Sequence, residues 1–343
     1  RVYTGAHYPG DCLAGAAIGG ALAGSSVRRW PVRPAQATTA PKVTLPAAAQ
    51  ASPEGEGLAI VINSASGSAL IGDPSAALKE ALPRAHITEI DMTSADELRA
   101  ELERLAENAS VIGIAGGDGS VNTAAEVALR FQKPLVVVPA GTLNHLSQAI
   151  GVNTVDDAIS AVKSGEAVGV DVGTIAGRAF LNTASFGSYV EIVDTREKLE
   201  NKIGKWPAVA VALIQVLRRS KPIRVEIDGE RIDVWMAFIG NCAYHPSGFA
   251  PSWRERLDDG KIDLRYIDAS RQWARLRLAA ALLTGRLGRS KVYKQALVER
   301  LEIHSLDGPL RLARDGETFE GPEDIVVEKY FKRLAVYAPH AKP

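Results

Sequence analysis

The chain has 343 residues and balances 40 Lys and Arg against 40 Asp and Glu, for a formal net charge of zero. That balance gives no global electrostatic case for a nucleic-acid partner, and the length accommodates two domains that each bury a core. The two cysteines, Cys12 and Cys242, stand far apart and outside metal-ligand spacing, which argues against a disulfide framework or a zinc site.

The chain begins with Arg1, His7 and Asp11 in the pattern R-x5-H-x3-D. These are a phosphate-binding cation, an imidazole nucleophile or base, and a carboxylate to orient it. Residues 12–27, CLAGAAIGGALAGSSV, carry no charge and fall just short of the ~20 residues of a membrane span. Gly15/Gly19 and Gly20/Gly24 are small-xxx-small pairs suited to packing inside a membrane, whereas so many glycines would weaken a buried helix in water. Arg28, Arg29 and Arg33 follow, and the positive-inside rule then places the rest of the chain in the cytoplasm. With Tyr8-Pro9 inside it, the R-x5-H-x3-D pattern resembles the last motif of the type 2 phosphatidic acid phosphatase family, which runs into a transmembrane helix. The resemblance implies that Arg1 holds phosphate, His7 is the nucleophile and Asp11 its partner, making 1–29 the remnant of a membrane phosphatase domain. The upstream motifs are missing, so no phosphatase activity is expected.

Residues 30–57 hold Pro31, Pro34, Pro41, Pro46 and Pro53 among Ala, Thr and Gln, and read as a semi-extended tether. A short apolar strand over 58–62 then ends in Asn63-Ser64-Ala65-Ser66-Gly67, either a phosphate or ribose contact or an ordinary loop. A helix over 75–82 and a strand over 87–90 follow. Thr93 or Ser94 caps the next helix, with Glu97 completing a capping box if Ser94 is the cap. The apolar run 111–115 enters Gly116-Gly117-Asp118-Gly119-Ser120, and helical spacing restarts near Val121, to end near Lys133-Pro134. Such a junction aims free N–H groups and a helix dipole at one spot, which suits a phosphate. Its glycines let backbone approach the anion, and Asp118 adds a carboxylate where a nucleotide's Mg2+ would sit. Strand 135–138 runs into Pro139-Ala140-Gly141-Thr142-Leu143-Asn144-His145. Alternating strands and helices predict a parallel sheet, with three polar strand ends converging on one edge as a nucleotide site.

From Val168 the pattern changes to short strands separated by Gly, Asp-Gly and Asn, predicting a β-rich second domain with helices over 190–202 and 208–217. Asp171 falls in mid-strand at the boundary, where an unpaired carboxylate would be costly and a partner or metal is implied. Residues 254–264, RERLDDGKIDL, cluster Asp258, Asp259 and Asp263 around Gly260, a type I' hairpin turn by itself. A helix over 272–287 would carry Trp273, Leu276, Ala280, Leu283 and Leu287 on one stripe flanked by arginines, to pack on a sheet or meet a membrane surface. Arg314-Asp315-Gly316-Glu317 reads as a hairpin turn, and 325–338 as a terminal strand returning to the first domain.

GGDGSVN followed by PAGTLNHLSQAIG resembles the catalytic domain shared by diacylglycerol, sphingosine and ceramide kinases, in its bacterial lipid kinase form. The resemblance spans 58–340 and implies a two-domain α/β fold. A three-layer nucleotide-binding domain over 58–168 would be completed by the returning strand, and a sandwich-like, β-rich domain over 169–324 would bind lipid. ATP would be held by Asn63, Ser64, Ser66, Gly67, Thr93, Gly116, Gly117, Asp118, Gly119, Ser120, Asn122, Thr142, Asn144 and His145, with Asp118 near its Mg2+. A structural Mg2+ would take the Asp259 side chain and the carbonyls of Arg256 and Lys261. Glu317 would accept the proton of the lipid hydroxyl, supported by Asp315 and Asp171. The chain departs from the family pattern at Ser64 (usually Pro), Ser120 (commonly Thr) and His145, where many members have Asp. An imidazole cannot accept from Mg2+ waters as a carboxylate does.

The expectation is an ATP- and Mg2+-dependent kinase acting on the hydroxyl of a diacylglycerol-like or sphingoid-like membrane lipid at the cytoplasmic face. Two alternatives stand beside it: a soluble-substrate kinase such as an NAD kinase or phosphofructokinase, and a non-catalytic nucleotide- or lipid-binding regulator. The sequence leaves the lipid unnamed and a homodimer open.

Overall fold

The computed structural model describes residues 14–15, 17–21, 23–24, 38–45, 53–63, 74–91, 94–141, 144–188, 221–248, 251, 253–283 and 287–339. Expectations for Arg1, His7, Asp11, Ser64, Ser66, Gly67, Thr93, Thr142 and the helices over 190–202 and 208–217 lie outside them. Among the described residues no helix is long and apolar enough to cross a membrane, so the span expected over 12–27 gains no support.

Strand β1 (Lys42–Val43) is followed by β2 (Leu58–Asn63), β3 (His86–Ile90), β4 (Val111–Gly116) and β5 (Leu135–Pro139). Every residue of β2, β4 and β5 is buried, as strands covered by helices on both faces must be. They pair in parallel, in the order β3-β2-β4-β5. The helices here are α1 (Pro74–Ala81), α2 (Ala95–Ala106), α3 (Asp118–Arg130), α4 (His145–Ala149) and α5 (Val155–Ser164). Helix α2 buries Leu98, Leu102 and Leu105 on one stripe. Ser94 caps it without a side-chain hydrogen bond, and Asp96 and Glu97 face the helix dipole in the first turn instead. The capping box forms on α5, where Thr154 and Asp157 bond each other's backbone N–H.

The antiparallel region comprises β6 (Ala167–Ile175), β7 (Arg178–Phe180), β8 (Thr183–Gly187), β9 (Ile223–Ile227), β10 (Glu230–Asn241), β11 (Tyr244–His245), β12 (Trp253–Arg254) and β13 (Ile262–Asp268). It continues through β14 (Tyr293–Val298), β15 (Arg300–Ser305), β16 (Arg311–Arg314), β17 (Glu317–Glu320) and β18 (Asp324–Tyr337), with α6 (Ala274–Leu283) before β14. Strand β10 pairs with β8, β9 and β13 around a second apolar cluster that includes Phe180, Phe186 and Ile239. Two hairpins turn on Asp-Gly: Asp228-Gly229 at φ 49° and 86°, and Asp315-Gly316 at φ 45° and 94°. Positive φ at both central residues is the type I' signature that these pairs announce in the sequence.

Strand β18 joins the two regions. It pairs in parallel with β5 at Val336 and Leu135, and antiparallel with β6 and β15. The result is a mixed α/β fold whose parallel core and antiparallel region share one continuous hydrogen-bonded sheet.

Four local expectations need correction. Residues 38–45 are not simply a tether. Val43 is partly buried, Leu45 is fully buried, and β1 pairs with β6, because extended Pro-rich backbone needs little adjustment to dock on a strand edge. Helix α3 starts at Asp118 rather than Val121, since Gly117 already accepts the first helical bond from Val121 N–H. The Asp259-Gly260 turn has positive φ only at Gly260, and β12 pairs with β11, so no type I' hairpin forms there. Helix α6 buries Ala274, Leu278 and Ala281 against Trp235 and Ile267, leaving Trp273 69% and Leu276 66% exposed.

Candidate active site

The carboxyl ends of β2, β4 and β5 meet at the N-terminus of α3. Asn63 at the end of β2 donates from Nδ2 to Ser120 Oγ at 3.2 Å. Ala140 N–H bonds Gly116 O, and a Cβ on Gly141 would collide with Gly117 Cα, so the loop after β5 lies directly on the glycine turn. Asn144, in the left-handed region at φ 50°, clamps that loop. Its Oδ1 accepts from Gly141 N–H at 2.9 Å and its Nδ2 donates to Gly141 O at 2.7 Å. Among the described residues nothing lies within 4 Å of where a Gly119 Cβ would stand, at the first turn of α3. The buried Asn122 Nδ2 has no acceptor among the described residues. An open glycine, close backbone approach, an unspent amide donor and a helix N-terminus together suit a phosphate group.

Asp118 Oδ1 accepts from the backbone N–H of His145 at 2.7 Å, the first residue of α4. The main chain at 145 therefore orients Asp118 whatever the side chain there, and Oδ2 faces no hydrogen-bond partner among the described residues. Such a carboxylate fits one ligand position of a nucleotide-bound Mg2+, the remainder coming from water and phosphate oxygens.

Glu317 opens β17, and its side chain is 44% exposed. It stands 3.6 Å from Arg314 Nη2, while Arg314 Nη1 bonds Glu126 Oε1 and the Ala179 carbonyl. Glu126 also takes Arg99 Nη2 at 2.8 Å, so α2, α3 and the β16–β17 hairpin share one ionic contact. Glu126 is two turns along α3 from Asp118, about 12 Å at 1.5 Å per residue. The Glu317 carboxylate is thereby linked, through Arg314 and Glu126, to the helix whose N-terminus is suited to phosphate. Burial pushes the Arg314 guanidinium pKa down, and the charges of Glu317 and Asp315 oppose that shift.

Asp315 anchors this hairpin. Its carboxylate accepts from the backbone N–H of Leu181, Asn182 and Thr183 at 2.7, 2.8 and 2.8 Å. Burial pushes its pKa up, opposed by those three donors. The carbonyl of Leu181 accepts in turn from Arg254 and from Asn241, and Asn241 also donates to the Asp171 carbonyl. Asp171 is fully buried and well partnered. Gly260 N–H donates to Oδ2 at 2.9 Å, Lys332 N–H to Oδ1 at 2.7 Å, and Lys329 Nζ lies 3.4 Å from Oδ2. Asp171 and Asp315 are thus joined through backbone into one polar scaffold, with Glu317 at its exposed end.

The Asp259 carboxylate accepts from Ala243 and Lys261 N–H at 2.7 and 2.8 Å, and the Lys261 carbonyl accepts from Lys329 Nζ at 2.7 Å. Arg256 pairs with Asp258. Burial pushes the neighbouring Cys242 thiol up to about 11, opposed by Lys329 and Arg254. Sequence reasoning missed Arg314, Glu126, Arg254, Asn241 and Lys329. Its one available signal was polar residues interrupting apolar strands, as in the buried β16 pair Leu312 and Arg314.

A mixed α/β fold with a glycine turn at a helix N-terminus is an arrangement that suits a nucleotide-using enzyme. The comparisons narrow the class. Residues 57–175 match the diacylglycerol kinase catalytic domain. The chain is 28% identical over 240 residues to a "Probable lipid kinase YegS-like" of Pseudomonas aeruginosa, covering 66% of this chain and 76% of that protein. It is 29% identical over 201 residues to a diacylglycerol kinase of Bacillus subtilis, covering 55% of this chain and 65% of that one. Its fold matches the crystal structure of a diacylglycerol kinase from Bacillus anthracis at a TM-score of 0.57 and 18% identity, over 83% of this chain and 97% of that one. Over residues 57–175 the chain is similar to the diacylglycerol kinase catalytic domain, and the enzyme is a diacylglycerol kinase-like lipid kinase.

Proposed function

We propose that this enzyme transfers the γ-phosphoryl group of ATP to the hydroxyl of a diacylglycerol-like membrane lipid, with Glu317 as the general base. The observation that carries the reading is the placement of Glu317, tied through Arg314 and Glu126 to the helix whose N-terminus makes the phosphate cradle. Phosphoryl transfer asks for positioning and charge stabilisation more than for covalent chemistry, and one base near the acceptor hydroxyl suffices. Gly117, Gly119, Asn122 and the first turn of α3 would hold the phosphates. Asp118 would hold Mg2+, which neutralises phosphate charge when bound. The partly exposed Glu317 takes the hydroxyl proton through its carboxylate oxygen, and the Arg314 guanidinium 3.6 Å away orients that carboxylate.

The acceptor side favours a lipid surface. Trp273, just before α6, and Leu276 in its first turn are exposed with Arg271, Arg275 and Arg277 near them in sequence, an arrangement suited to an anionic membrane interface on the cytoplasmic side. The test is labelled ATP with vesicles of phosphatidylcholine containing diacylglycerol, and in parallel with total lipid extract. Glu317→Gln should lower turnover about 10²-fold or more with little change in KM for ATP, in line with loss of a general base. Full labelling by that variant would refute the assignment of the base, and labelling only of soluble acceptors would refute the lipid.

A further inference from the structure

The expectation of a structural Mg2+ rests on Asp259 and the carbonyls of Arg256 and Lys261, and the geometry there does not fit a metal. Ligand atoms of Asp171, Cys242 and Asp259 lie within 4.8 Å of one another, the spacing of a cation cage. Lys329 reaches into that cage. Its side chain is only 3% exposed, and its Nζ stands 2.7 Å from the Lys261 carbonyl and 3.1 Å from Cys242 Sγ. The same atom lies 3.4 Å from Asp171 Oδ2 and 3.6 Å from Asp259 Oδ1. The Lys261 carbonyl also accepts from Cys242 N–H at 3.0 Å, so both its lone pairs are engaged. Both Asp259 oxygens accept backbone N–H bonds. A Mg2+ ion needs oxygens about 2.0–2.1 Å away in octahedral geometry, and here it would sit against a buried ammonium.

We propose that the Lys329 ammonium is the structural cation of this chain, standing where a bound Mg2+ would otherwise neutralise Asp171 and Asp259 and tie the 259–261 turn to the sheet. The lysine is covalently part of β18, opposite Gly173 and just before the register shift between Tyr330 and Leu334, where Lys332 N–H also grips Asp171. A strand carrying its own cation locks the end of the chain onto β6 without any metal. The 259–261 turn then needs no divalent ion. This inference concerns the scaffold and stands whichever lipid is phosphorylated.

The test uses the full chain without nucleotide, melted in EDTA and in MgCl2 or CaCl2 up to 10 mM, with metal content measured after purification. The parent should melt at the same temperature in EDTA and in either salt, and hold no stoichiometric metal. Lys329→Met removes the charge at similar length, strands two carboxylates, and should lower Tm in EDTA by about 10 °C. Saturating MgCl2 or CaCl2 should recover at least half of that loss. Lys329→Met/Asp259→Asn, with one carboxylate fewer, should melt higher in EDTA than the single variant and lose the metal response. If the single variant fails to fold, the double variant and the parent decide the matter. Stoichiometric Mg2+ in the parent, a parent destabilised by EDTA, or a Lys329→Met protein as stable as the parent would each overturn the proposal.

Discussion

Replacing Asp315 by Asn separates anchoring from chemistry. Asn tolerates the positive φ of 45° at this turn, so backbone strain is not part of the effect. Its single carbonyl oxygen can keep the bonds from Asn182 and Thr183 N–H, but its amide group then faces the Leu181 N–H as a second donor. One charge-assisted bond is lost, about 1.5–3 kcal/mol, and one buried donor is orphaned at about 1–3 kcal/mol. Removing a carboxylate whose charged form is disfavoured by burial returns part of this. A net loss of about 2–4 kcal/mol is expected, read as a lower urea midpoint at pH 7 with unchanged m. The pH dependence follows from the raised pKa. The folded state holds the Asp315 proton above 3.8, the ordinary value, so this group's contribution is fully present below 3.8 and falls as pH rises through the folded pKa. The Asn variant should lack that slope. If it kept parental stability within ~0.5 kcal/mol, the size of an ordinary surface substitution, while losing turnover 100-fold, the anchoring argument would fail and Asp315 would belong to the chemistry.

Gly141→Ala places a Cβ against Gly117 Cα, so the two loops must part by an amount typical of overpacking, about 1–3 kcal/mol. Its mark should be a KM for ATP raised at least tenfold, with a smaller change in melting temperature, and an unaltered KM would contradict the cradle. His145→Ala should be nearly silent, within about threefold in kcat/KM, because Asp118 is held by the backbone N–H at 145 and not by the imidazole. A hundredfold loss would show that the ring itself handles metal or phosphate.

The parallel core was legible because runs such as LAIVIN and LVVVP, buried on both faces, admit few other packings. The Asp-Gly hairpins were legible because few residues take positive φ at two successive positions. The face of α6 was misread at Trp273 and Leu276, though Leu287 of the same stripe is buried, because large apolar side chains draw the eye before Ala274 and Ala281. The face that packs over Trp235 and Ile267 carries Ala274, Leu278 and Ala281 instead. The docking of 38–45 was hidden for a related reason, since alternation over Lys42, Val43, Thr44 and Leu45 is too short to stand out among prolines. Asp171 announced that it needed a partner, yet nothing local named Lys329. Two residues 158 positions apart meet only through the register of β18 on β6, and a lysine in a stretch reading Lys-Tyr-Phe-Lys has every appearance of surface.

The same long-range scaffold bears on how Glu317 could work. The hairpin that carries it is fixed twice, by Asp315 on the backbone of 181–183 and by Arg314 on Glu126 of α3. The first attachment runs on through Leu181 and Asn241 to Asp171, and from there to β18, which pairs with β5, the strand that ends in the Gly141 loop. Glu317, the proposed base, and the glycine turn are therefore joined by two independent routes, one ionic and exposed at Arg99, the other buried and bonded largely through backbone. A base so held does not have to be brought into place by ATP. On the proposed reading, what must be brought into place is the acceptor hydroxyl, and the exposed Trp273 and Leu276 are the candidate contact for the lipid surface that presents it. Weakening the ionic route alone should then leave the base near its position, whereas cutting the buried route should loosen both ends of the site together.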